Sequence, residues 1–167
     1  MRSITAVLHT RNDAVRLGRC LETLYPCDEI LVIDHDSTDA TVHVAREYGA
    51  RTVLKTVQLK AEAEAGSTLQ RPELISTGWI FCIDPRESLT EALAASLFGW
   101  KLDGVTGAPE QAAGVFLRQE NADGWIENPV AQTRLVPAAW KRWNGRFPLN
   151  ELSHFTLEGR LLRFEFP

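Results

Sequence analysis

Charged side chains follow two apolar runs of the sequence, at the point where each run ends. Ile30–Ile33 is followed by DHDSTD at residues 34–39, and Trp79–Ile83 is followed by DPRE at residues 84–87. Open α/β sheets bind their ligands at the carboxyl ends of parallel strands. If both runs are strands of one parallel sheet, the two acidic turns converge above the same edge, and the sequence predicts a ligand site there.

The first acidic turn has a second interpretation. Ser37 or Thr38 caps the helix that follows, and Asp39 complements the dipole of that helix. Capping explains residues 36–39 as well as ligand binding does, but it explains Asp34 less well. Asp34 is therefore the stronger candidate for a ligand contact.

The elements that must position these turns alternate between strands and helices. Ser3–His9 is rich in β-branched residues and predicts a buried strand, and apolar residues at three- and four-residue spacing predict a helix over 14–24. The strand Glu29–Ile33, a helix that begins before Val42 and ends near Gly49, and the strand Arg51–Leu54 follow. This order is typical of parallel βαβ units.

The remainder of the chain is less regular. Lys55–Gly66 has little apolar periodicity and predicts either a solvated helix or a loop. Ser88–Glu91 fits a capping box that opens a helix with Leu89, Leu93 and Leu97 on one face. Gly and Pro residues after Lys101 separate predicted β segments, and Glu158-Gly159 predicts a terminal hairpin. The four tryptophans from Trp100 onward either stack on the rings of bound sugars or fill the core of the domain, and we favour the second interpretation.

Composition limits the class of protein. The chain has 167 residues, 44% of them hydrophobic, and a formal net charge of −4, which fits one domain with a real core and gives no reason to expect nucleic acid as a partner. No apolar run approaches the ~18 residues of a membrane-spanning helix. We expect a cytoplasmic protein, with peripheral membrane contact left open. Three cysteines without CxxC spacing suggest neither disulfides nor a zinc site.

Five segments together resemble the motifs of one family. The segments are TRND at 10–13, DEILVID at 28–34 followed by STDAT at 37–41, WIFCIDPRE at 79–87, RLV at 134–136 and NEL at 150–152. They are similar to motifs of the inverting glycosyltransferases of family 2, and specifically of the bacterial branch of lipopolysaccharide core β-glucosyltransferases. The resemblance spans nearly the whole chain.

The resemblance implies an α/β fold of the GT-A (Rossmann-like) type. This is an α/β/α sandwich with a mainly parallel sheet and a partly antiparallel C-terminal part. One domain, 1–167, would then contain a nucleotide-sugar-binding half, 1–100, and an acceptor-side half, 101–167. By the same resemblance, the function is transfer of a hexose from a nucleotide sugar to a glycan or lipopolysaccharide-type acceptor with inversion. The alternative is a degenerate, non-catalytic member that binds a sugar nucleotide or a partner.

The resemblance also assigns roles to single residues. Thr10, Asn12 and Asp34 would hold the base and ribose of a UDP-type donor, with Arg71 near the nucleotide. Asp84 stands in a D-x-D motif whose carboxylates bind Mg²⁺ or Mn²⁺ on the donor diphosphate. A carboxylate near the carboxyl end takes the proton of the acceptor hydroxyl, and the residue that matches it is Glu151.

One position departs from the family pattern in a way that changes the chemistry. Arg86 replaces the second Asp of D-x-D, so a fixed cation stands where an oxygen ligand is expected. Glu87 offers another carboxylate for a metal. Either Arg86 itself binds the diphosphate and acts in catalysis without a metal, or metal binding and turnover are both lost. His35 also stands where many relatives carry Asp, and is either part of the site or a plain surface residue.

Overall fold

The computed structural model describes residues 1–55, 74–103, 111–151 and 155–167, and these ranges contain one nine-stranded sheet, one small two-stranded sheet and three helices. In chain order the elements are β1 (Ile4–Thr10), α1 (Ala14–Glu22), β2 (Glu29–Asp34), α2 (Thr41–Glu47), β3 (Arg51–Leu54), β4 (Trp79–Cys82), β5 (Glu87–Leu89), α3 (Glu91–Leu102), β6 (Ala113–Asn121), β7 (Gly124–Glu127), β8 (Gln132–Pro137), β9 (Trp143–Asn144), β10 (Phe147–Pro148) and β11 (Phe155–Arg163).

The first half of the large sheet is parallel. Its strands lie in the order β3-β2-β1-β4, and each pairs in parallel with its neighbour. β1, β2 and β4 are almost entirely buried, which explains why their sequences are continuous apolar runs rather than alternating ones. The five elements predicted between residues 3 and 54, and the strand predicted at Trp79, are confirmed.

The second half of the sheet is mixed. β8 runs antiparallel to β4, β6 runs antiparallel to β8, and β11 then lies parallel to β6 and antiparallel to β5. β7 forms a hairpin with β6 through the turn that contains Gly124. The prediction of an α/β fold with a parallel sheet and a partly antiparallel C-terminal part is confirmed.

Two apolar clusters flank the sheet. The larger one contains buried residues of all three helices, among them Leu17, Ala45 and Leu97. The smaller one lies on β1, β2, β4 and β8, and is covered in part by Trp140 and Trp143. The described helices therefore contribute to one cluster, and in the described ranges an aromatic segment covers the other.

Two local predictions were wrong. Glu158-Gly159 forms no hairpin, because β11 continues through both residues and only shifts register there. Gly159 has a φ of +91°, and a Cβ on it would lie 2.2 Å from the backbone nitrogen of Leu93, so the glycine permits close approach of α3. Ser88 opens no helix either. It lies in β5, and Thr90 caps α3 by accepting a hydrogen bond from the Leu93 backbone N–H.

Other expectations fall outside what the structure describes. Apart from Lys55, the segment Lys55–Gly66 lies there, as does Arg71. In the described ranges no helix is long and apolar enough to cross a membrane. The division into halves at residue 100 stays a prediction.

Candidate functional site

The two acidic turns lie at one edge of the sheet, on either side of β1. Asp34 pairs in register with Thr10, the last residue of β1. On the other side, the Ile83 backbone N–H donates to the Val7 carbonyl, so Asp84 leaves β4 near the same end. Two strand spacings of about 4.8 Å place the turns roughly 10 Å apart. The predicted convergence of the acidic turns is confirmed.

Asp34 is the buried centre of the first turn. Its carboxylate is 1% exposed. Oδ1 accepts hydrogen bonds from the Thr10 hydroxyl at 2.8 Å and the Ser37 hydroxyl at 2.6 Å, and Oδ2 accepts one from the Ser37 backbone N–H at 2.9 Å. Asp34 therefore fixes the shape of the turn that follows β2, whether or not it also contacts a nucleotide.

Asn12 connects the first turn to the end of β1. It has a φ of +54°, a left-handed conformation that Asn tolerates better than most residues. Its backbone N–H donates to the Ser37 hydroxyl, and its side-chain oxygen accepts from the Thr38 backbone N–H at 2.8 Å. Ser37 and Thr38 thus bind Asn12 rather than capping α2, whose N-cap position is Ala40.

In the second turn, Asp84 holds Arg86. Asp84 Oδ1 accepts from the Arg86 backbone N–H and from Nε–H, both at 2.9 Å, and Oδ2 accepts from Nη2–H at 3.2 Å. Burial raises the pKa of Asp84, but the hydrogen bonds and charge of Arg86 outweigh it and hold that pKa below its usual value. The position where a second metal ligand was expected is therefore occupied by a guanidinium already bound to the first.

Glu87 is buried in an ion pair. Its carboxylate is 0% exposed, and the Arg134 guanidinium binds it through two hydrogen bonds of 2.9 and 3.0 Å. Arg163 Nη1 lies 3.4 Å from the same carboxylate, and the Asp84 backbone N–H donates to it at 3.0 Å. Glu87 therefore anchors the second turn from beneath.

The donor set around Asp84 does not fit a divalent cation. Mg²⁺ needs a shell of about six oxygen ligands, whereas guanidinium groups already bind both oxygens of Asp84 and of Glu87. No group of three His, Cys, Asp or Glu side chains that could hold a metal occurs in the part of the chain that the structure describes. The metal roles of Asp84 and Glu87 stay predictions, and this geometry does not favour them.

Two histidines form a pair at the same edge. His9 Nδ1 lies 2.8 Å from His35 Nε2, and the buried His9 Nε2 has no hydrogen-bond partner among the described residues. Burial first, then the charges of His35, Arg146 and Lys55, lower the pKa of His9 to about 3; burial, Arg146 and Lys55 lower that of His35 to about 4. Both rings are therefore neutral at pH 7, and His35 is not a plain surface residue.

Glu151 lies beside a second concave region. Its backbone N–H donates to the Thr133 hydroxyl at 2.9 Å, and its carboxylate pairs with the exposed Arg142 at 2.9 Å. A cleft of about 400 Å³ adjoins it, with a lining that includes Thr133, Arg134, Asn144, Phe147, Asn150 and Arg163. Phe147 also lines the narrow cleft that contains His9 and Asp84, so the two regions share this aromatic residue.

The sequence motifs do not predict the role of the arginines that organise this site. Arg134 belongs to RLV at 134–136, and none of the five segments contains Arg163. Their partners are 47 and 76 residues away in sequence, so spacing alone carried no signal. An arginine within an apolar strand such as β8 is itself unusual, since it must find a buried anion.

Relatives of the chain are found among bacterial proteins. An uncharacterized glycosyltransferase of Rickettsia prowazekii is 31% identical over 98 residues, which make up 56% of this chain and 31% of that protein. LpsC of Rhizobium meliloti, a lipopolysaccharide core biosynthesis glycosyltransferase, is 32% identical over 110 residues, or 59% of this chain and 41% of that protein. This chain is homologous to bacterial glycosyltransferases. It spans less than half the length of these relatives, and no protein-family model matches it.

The fold matches solved structures as well. Glucosyl-3-phosphoglycerate synthase from Mycobacterium tuberculosis, crystallised with Mn²⁺, UDP and glucosyl-3-phosphoglycerate, superposes with a TM-score of 0.54 at 24% identity. The match covers 70% of this chain and 44% of the synthase. At 24% identity this likeness establishes the fold alone. The chain therefore has a GT-A-like fold.

Proposed function

We propose that this chain transfers a hexose from a UDP-type nucleotide sugar to a hydroxyl group of a glycan or lipopolysaccharide-type acceptor, with inversion at the anomeric carbon. The observation that carries the proposal is that Asp34 and Asp84 follow strand ends at the same carboxyl edge of a parallel sheet, about two strand spacings apart, in a chain homologous to glycosyltransferases. The UDP in the mycobacterial synthase and the lipopolysaccharide role of LpsC support the choice of donor and acceptor.

The donor would lie across the end of β1. The proposed nucleotide contacts are Thr10, Asn12 and Asp34. Asn12 is exposed, and its amide suits a ribose hydroxyl or the edge of a base. Thr10 and Asp34 are buried beneath it and would act by holding the turn. The diphosphate would extend toward Asp84, which is about two strand spacings away. Arg71, which lies outside the described residues, stays a proposed nucleotide contact.

The reaction needs one proton acceptor. As the acceptor oxygen attacks C1 of the sugar, its bond to C1 forms while the bond from C1 to the diphosphate breaks on the opposite face, which inverts the configuration. We assign the carboxylate of Glu151 as the general base that takes the hydroxyl proton. Arg142 is exposed at the surface, so its pairing with Glu151 can give way to an incoming hydroxyl.

The neighbouring cleft suits a sugar acceptor. It is lined by the amide side chains of Asn144 and Asn150 and by the ring of Phe147. Amides exchange hydrogen bonds with hydroxyl groups, and aromatic rings contact the apolar faces of sugars. Asn150 lines the cleft and Glu151 follows it directly in the chain, so we place the acceptor hydroxyl at the end of the cleft next to Glu151.

The test is release of nucleoside diphosphate. The chain is incubated with UDP-glucose, UDP-galactose, UDP-N-acetylglucosamine and GDP-mannose, each with and without lipopolysaccharide core oligosaccharides, in buffers with EDTA or Mn²⁺. We expect release that depends on the acceptor, and a loss of about 10²-fold or more in Glu151→Gln.

A matched control is available for that variant. Glu29 pairs with Arg51 at 2.8 Å and is 22% exposed, against 19% for Glu151, but it lies at the opposite edge of the sheet. Glu29→Gln should keep the activity. No release from any donor under any condition would refute the proposal, and nucleotide binding without release would point to the non-catalytic binding module, which the comparisons do not favour.

A further inference from the structure

Two arginines converge on the carboxylate of Asp84. Arg86 Nη2 lies 3.2 Å and Arg163 Nη2 lies 3.9 Å from the same oxygen, Oδ2. Arg86 follows the strand β4, whereas Arg163 ends β11, so two distant parts of the chain bring their guanidinium groups to one point. Asp84 thus positions two cations side by side at the edge where the diphosphate would lie.

Positive charge exceeds negative charge in this cluster. Three guanidinium groups, those of Arg86, Arg134 and Arg163, contact only two carboxylates, those of Asp84 and Glu87. Asp13 is nearby but pairs with its own arginine, Arg16, at 3.6 Å, and Arg146 adds a further cation to the cleft that contains Asp84.

Arg86 keeps donors free for a ligand. A guanidinium has five N–H groups in a planar fork that matches phosphate oxygens. Asp84 engages Nε–H and one N–H of Nη2, which leaves three N–H groups without a partner among the described residues. The side chain is 38% exposed, and that of Arg163 is 23% exposed, so both can reach an anion from solvent without leaving Asp84.

A divalent cation would meet a different situation at the same point. It would have to displace Arg86 from both oxygens of Asp84 and then remain beside two or three guanidinium groups. A diphosphate would bind beside an existing surplus of positive charge, and Arg86 could keep its hydrogen bonds to Asp84. We propose that Arg86 and Arg163 together bind the diphosphate of the nucleotide donor and stabilise the charge on the leaving nucleoside diphosphate, without a divalent metal. This inference rests on the proposed function.

The experiment measures binding of UDP and UMP by titration calorimetry, in EDTA and in Mn²⁺. For the natural chain we expect UDP affinities that agree within about twofold between the two buffers. Arg86→Gln should bind UDP about 10- to 100-fold more weakly, the usual effect of a lost charge-assisted hydrogen bond. Its affinity for UMP, which lacks the second phosphate, should change by less than about threefold.

Arg51→Gln is the matched control. Arg51 is 41% exposed and pairs with a carboxylate at 2.8 Å, as Arg86 does at 2.9 Å, but it lies at the amino edge of the sheet. This variant has the same net charge as Arg86→Gln and should bind UDP like the natural chain. If Arg86→Gln does not fold, Arg86→Lys, which keeps the charge, takes its place. The comparison of UDP affinity in EDTA and in Mn²⁺ uses the natural chain and needs no variant.

The outcomes separate this inference from the proposed function. UDP binding that requires Mn²⁺ would overturn the inference and leave glycosyl transfer standing. UDP binding in EDTA that depends on Arg86, with no release of nucleoside diphosphate from any donor, would support the inference and refute the transfer. Equal loss of UDP and UMP affinity in Arg86→Gln, or no UDP binding in either buffer, would also overturn it.

Discussion

The contribution of the Glu87–Arg134 ion pair to stability shows whether Glu87 anchors the second acidic turn or is free to bind a metal. Glu87→Gln keeps the size of the side chain but removes its charge. Arg134, whose side chain is only 6% exposed, then loses its anion. Breaking one partner of a buried pair typically costs about 3–5 kcal/mol, and whole domains are stable by about 5–15 kcal/mol. We therefore expect Glu87→Gln to lose about a fifth or more of the free energy of unfolding.

Urea denaturation at pH 7, followed by circular dichroism, measures this loss. With a slope of about 2 kcal/mol per molar urea, a loss of 3–5 kcal/mol lowers the midpoint by roughly 1.5–2.5 M. Glu29→Gln, which breaks the more exposed pair with Arg51, should cost no more than about 1 kcal/mol. A loss below 1 kcal/mol in Glu87→Gln, or a midpoint raised by Mn²⁺ in the natural chain, would refute the anchoring role.

Two further predictions concern close packing and pH. Gly159→Ala places a methyl group against the backbone of Leu93 at a φ of +91° and should cost at least about 2 kcal/mol, seen as a lower melting temperature. Gly99→Ala, with open space around its Cβ, should cost nothing. Because the pKa of His9 is about 3 when folded and near 6.5 when unfolded, the unfolded state binds the proton first. The free energy of unfolding should therefore fall from pH 6.5 toward pH 4, and His9 alone contributes up to about 1.4 kcal/mol per pH unit to this fall. In His9→Asn that decline should be shallower, with the share of His35 remaining; equal slopes would contradict the assignment.

The parallel half of the sheet could be predicted because three of its four strands, β1, β2 and β4, are buried on both faces. Continuous apolar runs such as Ile30–Ile33 and helices with regular apolar spacing leave few alternatives. Ser88 and Gly159 could not be predicted, because their neighbours in space are distant in sequence. The Ser88–Glu91 pattern satisfies a capping rule, but pairing of β5 with β11 draws Ser88 into a strand and leaves Thr90 as the cap.

For the candidate site, the positions of the two acidic residues could be predicted, but their contacts could not. Asp34 and Asp84 follow strands, and the topology of parallel sheets brings strand ends together. The protonation state of His9 depends on its contact with His35, and the burial of Glu87 depends on its ion pair with Arg134. Both contacts are long-range in sequence. No spacing rule links these pairs, so the burial of Glu87 and the neutral histidines emerge only in three dimensions.

A crystal structure of the chain soaked with UDP would show directly whether this sheet edge binds a nucleotide sugar. We expect density for the uridine at the first turn, against Asn12 and above the buried Thr10 and Asp34, and a diphosphate that extends toward Asp84 and contacts the guanidinium of Arg86. Density for UDP at any other surface, or a fully saturated soak with none at this edge, would contradict it.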